Sequence, residues 1–121
     1  MTYLTEEFKN QIKPFFFSEY NGSYSALLDA GTFKNEVFEK YYDKGIEGGG
    51  YNWDALAALY IEENLPHYKE ELDHDSEAGM FCIYSKNELA IHDFLMGFKN
   101  YCEDDEKFLD LMERADFDEW D

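Results

Sequence analysis

Basic residues are scarce in this chain. Ten Lys and Arg stand against 28 Asp and Glu in 121 residues, a net charge of −18. Such a surface is repelled by nucleic acid and by anionic membranes. It exceeds the roughly 2–8 charges that serve a small domain for solubility, and leaves two readings open: plain solvation, or attraction to a basic partner. Cysteine occurs twice, at Cys82 and Cys102, each within an apolar pattern. Two distant thiols do not make a disulfide framework. They read as reduced, buried core residues of a cytosolic protein. No apolar run approaches the roughly 20 residues that span a bilayer. Residues 1–13 lack a basic start followed by an apolar run, so no secretory signal is expected and the location reads as cytoplasmic. Proline occurs twice, at Pro14 and Pro66, each where a helical pattern stops.

Aromatic residues are abundant: 11 Phe, 10 Tyr and 2 Trp, within a 45% apolar composition. That argues against disorder and for a core built from rings. A chain of this size buries roughly two thirds of its unfolded surface, which suits one domain over residues 1–121. Residues 1–13 and 116–121 read as loosely held ends.

Leu4, Phe8 and Ile12 recur at helical spacing over residues 3–12, with Thr5 as a cap. Two β-rich runs, 15–20 and 23–29, flank Asn21-Gly22. That dipeptide fits the two positive φ angles of a type I′ hairpin turn. Thr32 reads as the N-cap of a helix over 33–43 that presents Phe33, Val37 and Tyr41, with Gly45 just past its end. A helix over 53–65 is apolar nearly all round (Trp53, Ala55, Leu56, Ala57, Ala58, Leu59, Tyr60, Ile61) and should be central. A strand at 80–84 pairs with one near 71–74. Ser85 and Glu88 stand in capping-box spacing before a helix over 87–102, striped by Ile91, Phe94, Leu95, Phe98, Tyr101 and Cys102. Asp104 or Asp105 caps a last helix through Ala115, with Phe108, Leu111 and Met112 inward. The order after a short N-terminal helix is ββααββαα. It predicts an α+β fold: a mostly antiparallel sheet of two hairpins with helices packed on it.

The stretch Ile46–Ala57, IEGGGYNWDALA, raises the question of phosphate binding. A P-loop needs Lys and Ser or Thr after its glycines. Here Tyr51, Asn52, Trp53 and Asp54 follow, and Glu47 and Asp54 repel an anion. The dinucleotide fingerprint fails as well, since no strand precedes the loop. The structural reading is a corner in which Asn52 caps the next helix and Asp54 complements its dipole. Tyr51 and Trp53 would pin the corner to the core. The three histidines show no metal-binding spacing. Asp73, Asp75 and Glu77 resemble the start of a calcium loop, but Ala78 stands where Gly is required and Tyr84 where a Glu belongs. Cys82 is flanked by apolar residues that would raise its pKa. No nucleophile–base pairing stands out, so no catalytic residue, metal or cofactor is assigned.

Residues 45–66 (GIEGGGYNWDALAALYIEENLP) and 75–85 (DSEAGMFCIYS) resemble the two signature stretches of the immunity protein 51 family of bacterial polymorphic toxin systems. The first is a Gly-x-Gly-Tyr-Asp-Trp corner, matched by Gly48, Gly50, Tyr51 and Trp53. The second, Asp-x-Glu-Ala-Gly-Met-Phe, is matched by Asp75, Glu77, Ala78, Gly79, Met80 and Phe81. The resemblance spans roughly residues 14–115. Asn52 stands where the family usually has Asp, and Gly49 where Asn is common. A role needing negative charge at position 52 would therefore be lost.

The resemblance implies a cytosolic protein that binds and neutralises a cognate toxin domain and is not an enzyme. The charge adds that the toxin is basic, as many nucleases are, and that nucleic acid and membrane are not partners. Toxin contacts are expected at Glu47, Tyr51, Asp73, Asp75 and Glu77, on a monomer. Gly48, Gly50, Asn52, Trp53, Gly79 and Phe81 are expected to form the structural motif. Two other classes remain open on the residues alone. One is an acidic adaptor or nucleic-acid mimic, the other a small hydrolase using a carboxylate pair or a cation at 73–77.

Overall fold

A four-stranded antiparallel sheet with helices packed on one of its faces organises the chain. The computed structural model describes residues 2–120; the outermost residues of the two ends, 1 and 121, lie outside the described part. Helix α1 (Glu6–Gln11) precedes strands β1 (Phe16–Tyr20) and β2 (Ser23–Asp29). A short α2 (Asn35–Phe38) runs into a 3₁₀ stretch, Glu39–Lys44. Then come α3 (Gly50–Asn64), β3 (Asp73–His74), β4 (Met80–Ser85), α4 (Glu88–Glu103) and α5 (Asp105–Arg114). The strand order is β1-β2-β4-β3. This is the α+β order expected, with the second hairpin docked beside β2.

Asn21 and Gly22 take φ of 51° and 77°, so the first hairpin closes as its sequence predicts. Strand periodicity then sends Ala26, Leu28, Phe81 and Ile83 to the helical side, where all four are fully buried. Trp53 is the centre of the ring-built core, at 0% exposure. It stacks on Phe33 at 5.8 Å and meets Phe15, Phe38, Phe98 and Phe108 at 5.6–6.1 Å. Such ring pairs add about 0.5–1.5 kcal/mol each beyond area burial. Helix α4 crosses close to α3 at Gly97, where a Cβ would stand 2.1 Å from the Tyr60 hydroxyl.

Several local expectations are corrected. Thr32 does not cap a helix; its hydroxyl donates to Asp29 O at 2.6 Å, and α2 begins after Lys34 at φ 60°. The predicted 33–43 helix is one α-turn followed by 3₁₀, whose threefold period places Phe38 and Tyr41 in line against the core. Asn87, not Ser85, caps α4, accepting from Leu89 and Ala90 N–H. Glu88 is released from any capping box. Its carboxylate instead accepts the backbone N–H groups of Thr2, Tyr3 and Leu4, over 80 residues away in sequence. The described parts of both ends are also packed: Leu4, Phe8, Ile12 and Phe117 are buried, and the Trp120 ring lies 4.4 Å from that of His74. Cys102 is buried as expected, but Cys82 is only half-buried.

Candidate functional site

The glycine corner and the 75–85 segment meet backbone to backbone. Gly50 N–H donates to Ala78 O at 2.9 Å. A Cβ on Gly50 would stand 1.9 Å from Glu77 O and 2.8 Å from Met80 O. Only a glycine lets the start of α3 approach this closely. The segment itself is held tight by Glu77 and Met80, which exchange backbone hydrogen bonds of 2.8 and 3.1 Å. Gly48 adopts φ 85° with Phe38 pressed against it.

Asn52 is not an N-cap. It lies in the first turn of α3, behind Gly49, and its side chain turns back toward the loop. Its Oδ1 accepts the N–H groups of Glu47, Gly48 and Gly49 at 3.2, 3.0 and 3.3 Å. Three consecutive amides converging on one point form an anion-binding concavity. In this chain the concavity is filled from within by the Asn52 carbonyl. The loop therefore has the geometry of a phosphate cradle with its donors already used.

Asp54, expected to complement the dipole of α3, is 2% exposed. Its Oδ1 lies 2.7 Å from His74 Nδ1 and accepts a hydrogen bond from the Ser76 hydroxyl at 2.7 Å. Ser76 Oγ accepts in turn from Cys82 N–H at 2.8 Å. A buried carboxylate needs such partners. Asp, His and Ser thus converge, but the Ser hydroxyl donates to the acid and not to the imidazole. The nucleophile–base order of a hydrolytic triad is absent. The cluster clamps β3 and the 75–85 segment onto α3. The Cys82 thiol is pushed up by burial and further by the Asp75 charge, opposite to what activates a nucleophile. Among the described residues no group of three His, Cys, Asp or Glu side chains is arranged to hold a metal ion. No helix among the described residues is long and apolar enough to cross a membrane.

The residues singled out in the sequence divide. Gly48, Gly50, Asn52, Trp53 and Phe81 are buried, while Gly79 is exposed at the turn before β4. Glu47 and Tyr51, the latter 42% exposed, line a shallow concavity of about 260 Å³ with Gly49, Asn52 and Ala78. Glu77 is exposed next to Ala78. Asp73 stands elsewhere: it pairs across from Tyr84 and lines a second concavity with Glu70, Glu71 and Lys86. Asp75 lies between the two, its backbone N–H bonded to Cys82 O. The expected contacts thus do not form one cluster; they run along one end and one edge of the sheet.

With two motifs clasped in this way, comparison with known families is decisive. The model of the immunity protein 51 family matches residues 15–117. The chain belongs to the immunity protein 51 family. Neither a curated protein nor a solved structure gives a match. In this immunity protein the matched span runs from the first hairpin to Phe117 and includes both glycine segments. Sequence reasoning missed the Asp54–His74–Ser76 clamp. Its signal was present: an acid in a helix apolar nearly all round has to be buried, and so has to be paired.

Proposed function

We propose that this immunity protein binds one copy of a cognate toxin domain of a polymorphic toxin system in the cytoplasm and neutralises it by occlusion, without catalysis. The toxin is basic, of the kind that grips phosphate backbones. The observation that carries the reading is the distribution of charge on this member of an immunity protein family. Lysine and arginine ion pairs join Lys34 to Asp105, Lys99 to Glu103, and Arg114 to Glu63 and Asp110, all among the helices and their caps. Among the described residues Glu47, Asp73, Asp75 and Glu77 form none, so their charge is available to an incoming protein. Tyr51 adds an exposed ring beside Glu47. In this scheme the protein is a monomer that needs no cofactor, and it excludes nucleic acid by repulsion.

Calorimetric titration with the toxin domain encoded beside it, at low and at high salt, tests this. One-to-one binding is expected, with an association rate that falls as salt rises. Reversing Asp73→Lys together with Asp75→Lys should slow association about tenfold or more at low salt and much less at high salt. Indiscriminate binding of unrelated basic proteins, in competition with DNA, would point to an adaptor instead.

A further inference from the structure

The helices cover one face of the sheet, and the other is left open. Register fixes what it carries. Phe16 pairs with Leu27 and Leu27 with Cys82, giving an apolar row across three strands, with Met80 opposite Asp29 beside it. The next row on this face runs Ser18, Ser25, Tyr84 and Asp73 across all four strands. Phe16, Leu27, Met80 and Cys82 are only half-buried, and none of them packs against the core; Tyr84 is exposed. Asp29, Asp73 and Asp75 edge the face, are exposed and form no ion pair among the described residues. An apolar centre within a charged rim is the anatomy of a protein interface. A second copy of this chain would bring its own carboxylates against these, at −18 per copy. The complementary occupant is a protein with an apolar contact ringed by Lys and Arg.

We propose that this open sheet face, centred on Leu27, is where the basic toxin domain seats, with Asp29, Asp73 and Asp75 as its rim. The proposal rests on the immunity reading above and gives it a location. It differs from a corner-centred interface, because Glu47 and Tyr51 become peripheral. Half-exposed apolar side chains supply the contact energy, and the unpaired acids steer and orient the partner.

Two measurements test it. The first is titration of Leu27→Arg, and of the strand-compatible double variant Phe16→Thr with Leu27→Thr, with the toxin domain encoded beside this protein. Leu109→Arg, on the exposed side of α5, serves as control. Circular dichroism melts of all variants establish folding. The expected result is an affinity loss of at least about thirtyfold for the face variants, the level of a hot-spot residue, and within about threefold for the control. The second uses the unaltered chain. N-ethylmaleimide should label Cys82 on the open face while buried Cys102 stays silent, and toxin binding should slow that labelling severalfold. If Leu27→Arg does not fold, the Thr variant and the labelling decide. Tight binding by folded face variants, with Cys82 labelling unchanged in the complex, would overturn this location and leave the immunity reading intact. Self-association of the free protein that Leu27→Arg abolishes would overturn it in favour of a second copy. Failure of the unaltered protein to bind the toxin would remove the immunity reading and this inference together.

Discussion

Gly50→Ala separates helix propensity from packing, because the two predict opposite signs. Gly50 is the first residue of α3. In a helix interior, alanine is favoured over glycine by about 0.8–1 kcal/mol, and somewhat less at a first position. Against this stands the new Cβ, 1.9 Å from Glu77 O and 2.8 Å from Met80 O. Non-bonded heavy atoms settle near about 3.5 Å, so the 77–80 backbone would have to retreat by more than an ångström. It is not free to do so. The Gly50–Ala78 hydrogen bond would break, at about 1 kcal/mol, and Ser76 and His74 would be pulled from buried Asp54, at about 1.5–3 kcal/mol for bonds to a charged group. Overpacking strain adds about 1–3 kcal/mol to whatever does not relax.

Taking the low end of each range, the net for Gly50→Ala is at least about 3 kcal/mol of destabilisation after the helix gain is subtracted. A chain of this length has an unfolding entropy near 0.25 kcal/mol/K, so the melting temperature should fall by at least about 12 °C. Thermal and urea unfolding followed by circular dichroism measure it. Gly79→Ala is the matched control: a Cβ there meets nothing within 4 Å, so the melt should hardly move. A Gly50→Ala protein that melts at or above the unaltered chain would refute the close approach of the two segments.

Asn52→Ala should cost about 1–3 kcal/mol, since three amides lose their acceptor and water entering from the adjacent concavity replaces it only in part. Asn52→Asp should fold at least as stably, because a carboxylate suits three converging N–H donors and the start of α3; chemical denaturation separates the two outcomes. Burial pushes the Glu88 carboxyl up, but the amides of Leu4, Tyr3 and Thr2 outweigh it and hold the carboxyl below the usual range. Its stabilisation is therefore present above the unfolded value of about 4.3 and lost as pH falls through the lower folded value. Glu88→Gln should lower stability at neutral pH and flatten that acid limb, with faster amide exchange in α1. Burial pushes Tyr60 up to about 12, and hydrogen bonds to Glu113 and Asp93 raise Tyr41 and Tyr68. Stability from these phenols is present below about 10 and lost as pH rises through the folded values. An ultraviolet titration should show a late group of tyrosines ionising together with alkaline unfolding.

Where the determinants are local, the sequence was a sufficient guide. Asn21-Gly22 sets its own turn, Asp104 accepts from Lys107 N–H three residues on, and the α4 stripe follows from spacing alone. Where a side chain answers to something distant, local rules misplaced it. Asn52 sits inside α3 because Gly50 has to enter the helix to meet residues 77–80, which moves the helix start two residues ahead of the natural cap. Glu88 left its capping box for the N-terminal amides. Cys82 was read as core because Met80–Tyr84 is apolar throughout, but period 2 puts Phe81 and Ile83 inward and Cys82 outward. A strand apolar on both faces conceals which face is covered. In the first hairpin, by contrast, the alternation of Phe15 and Phe17 with Tyr24, Ala26 and Leu28 puts Phe16 and Leu27 on the opposite face.

These corrections bear on what membership of the family can reveal. Gly50 is committed to residues 77–80, the Asn52 oxygen to three loop amides, and Trp53 and Phe81 are fully buried. Residues so placed are committed to the frame, so matching them identifies a frame and not a target. On the proposed function, the toxin would be read by what the frame leaves outside: Tyr51 and Glu47 at the corner, the acids of 73–77, and the open sheet face. None of these is required to hold the fold, so each can change with the partner at little cost in stability. Surface substitutions of that kind usually stay within about 0.5 kcal/mol. On that proposal, specificity and stability are carried by different residues of the same two segments. In 75–85, Phe81 and Ser76 face the core, while Asp75 and Cys82, beside them in sequence, face outward. A toxin-specificity change should accordingly be obtainable by exchanging outward positions of β2 and β4 alone, with the glycine corner untouched.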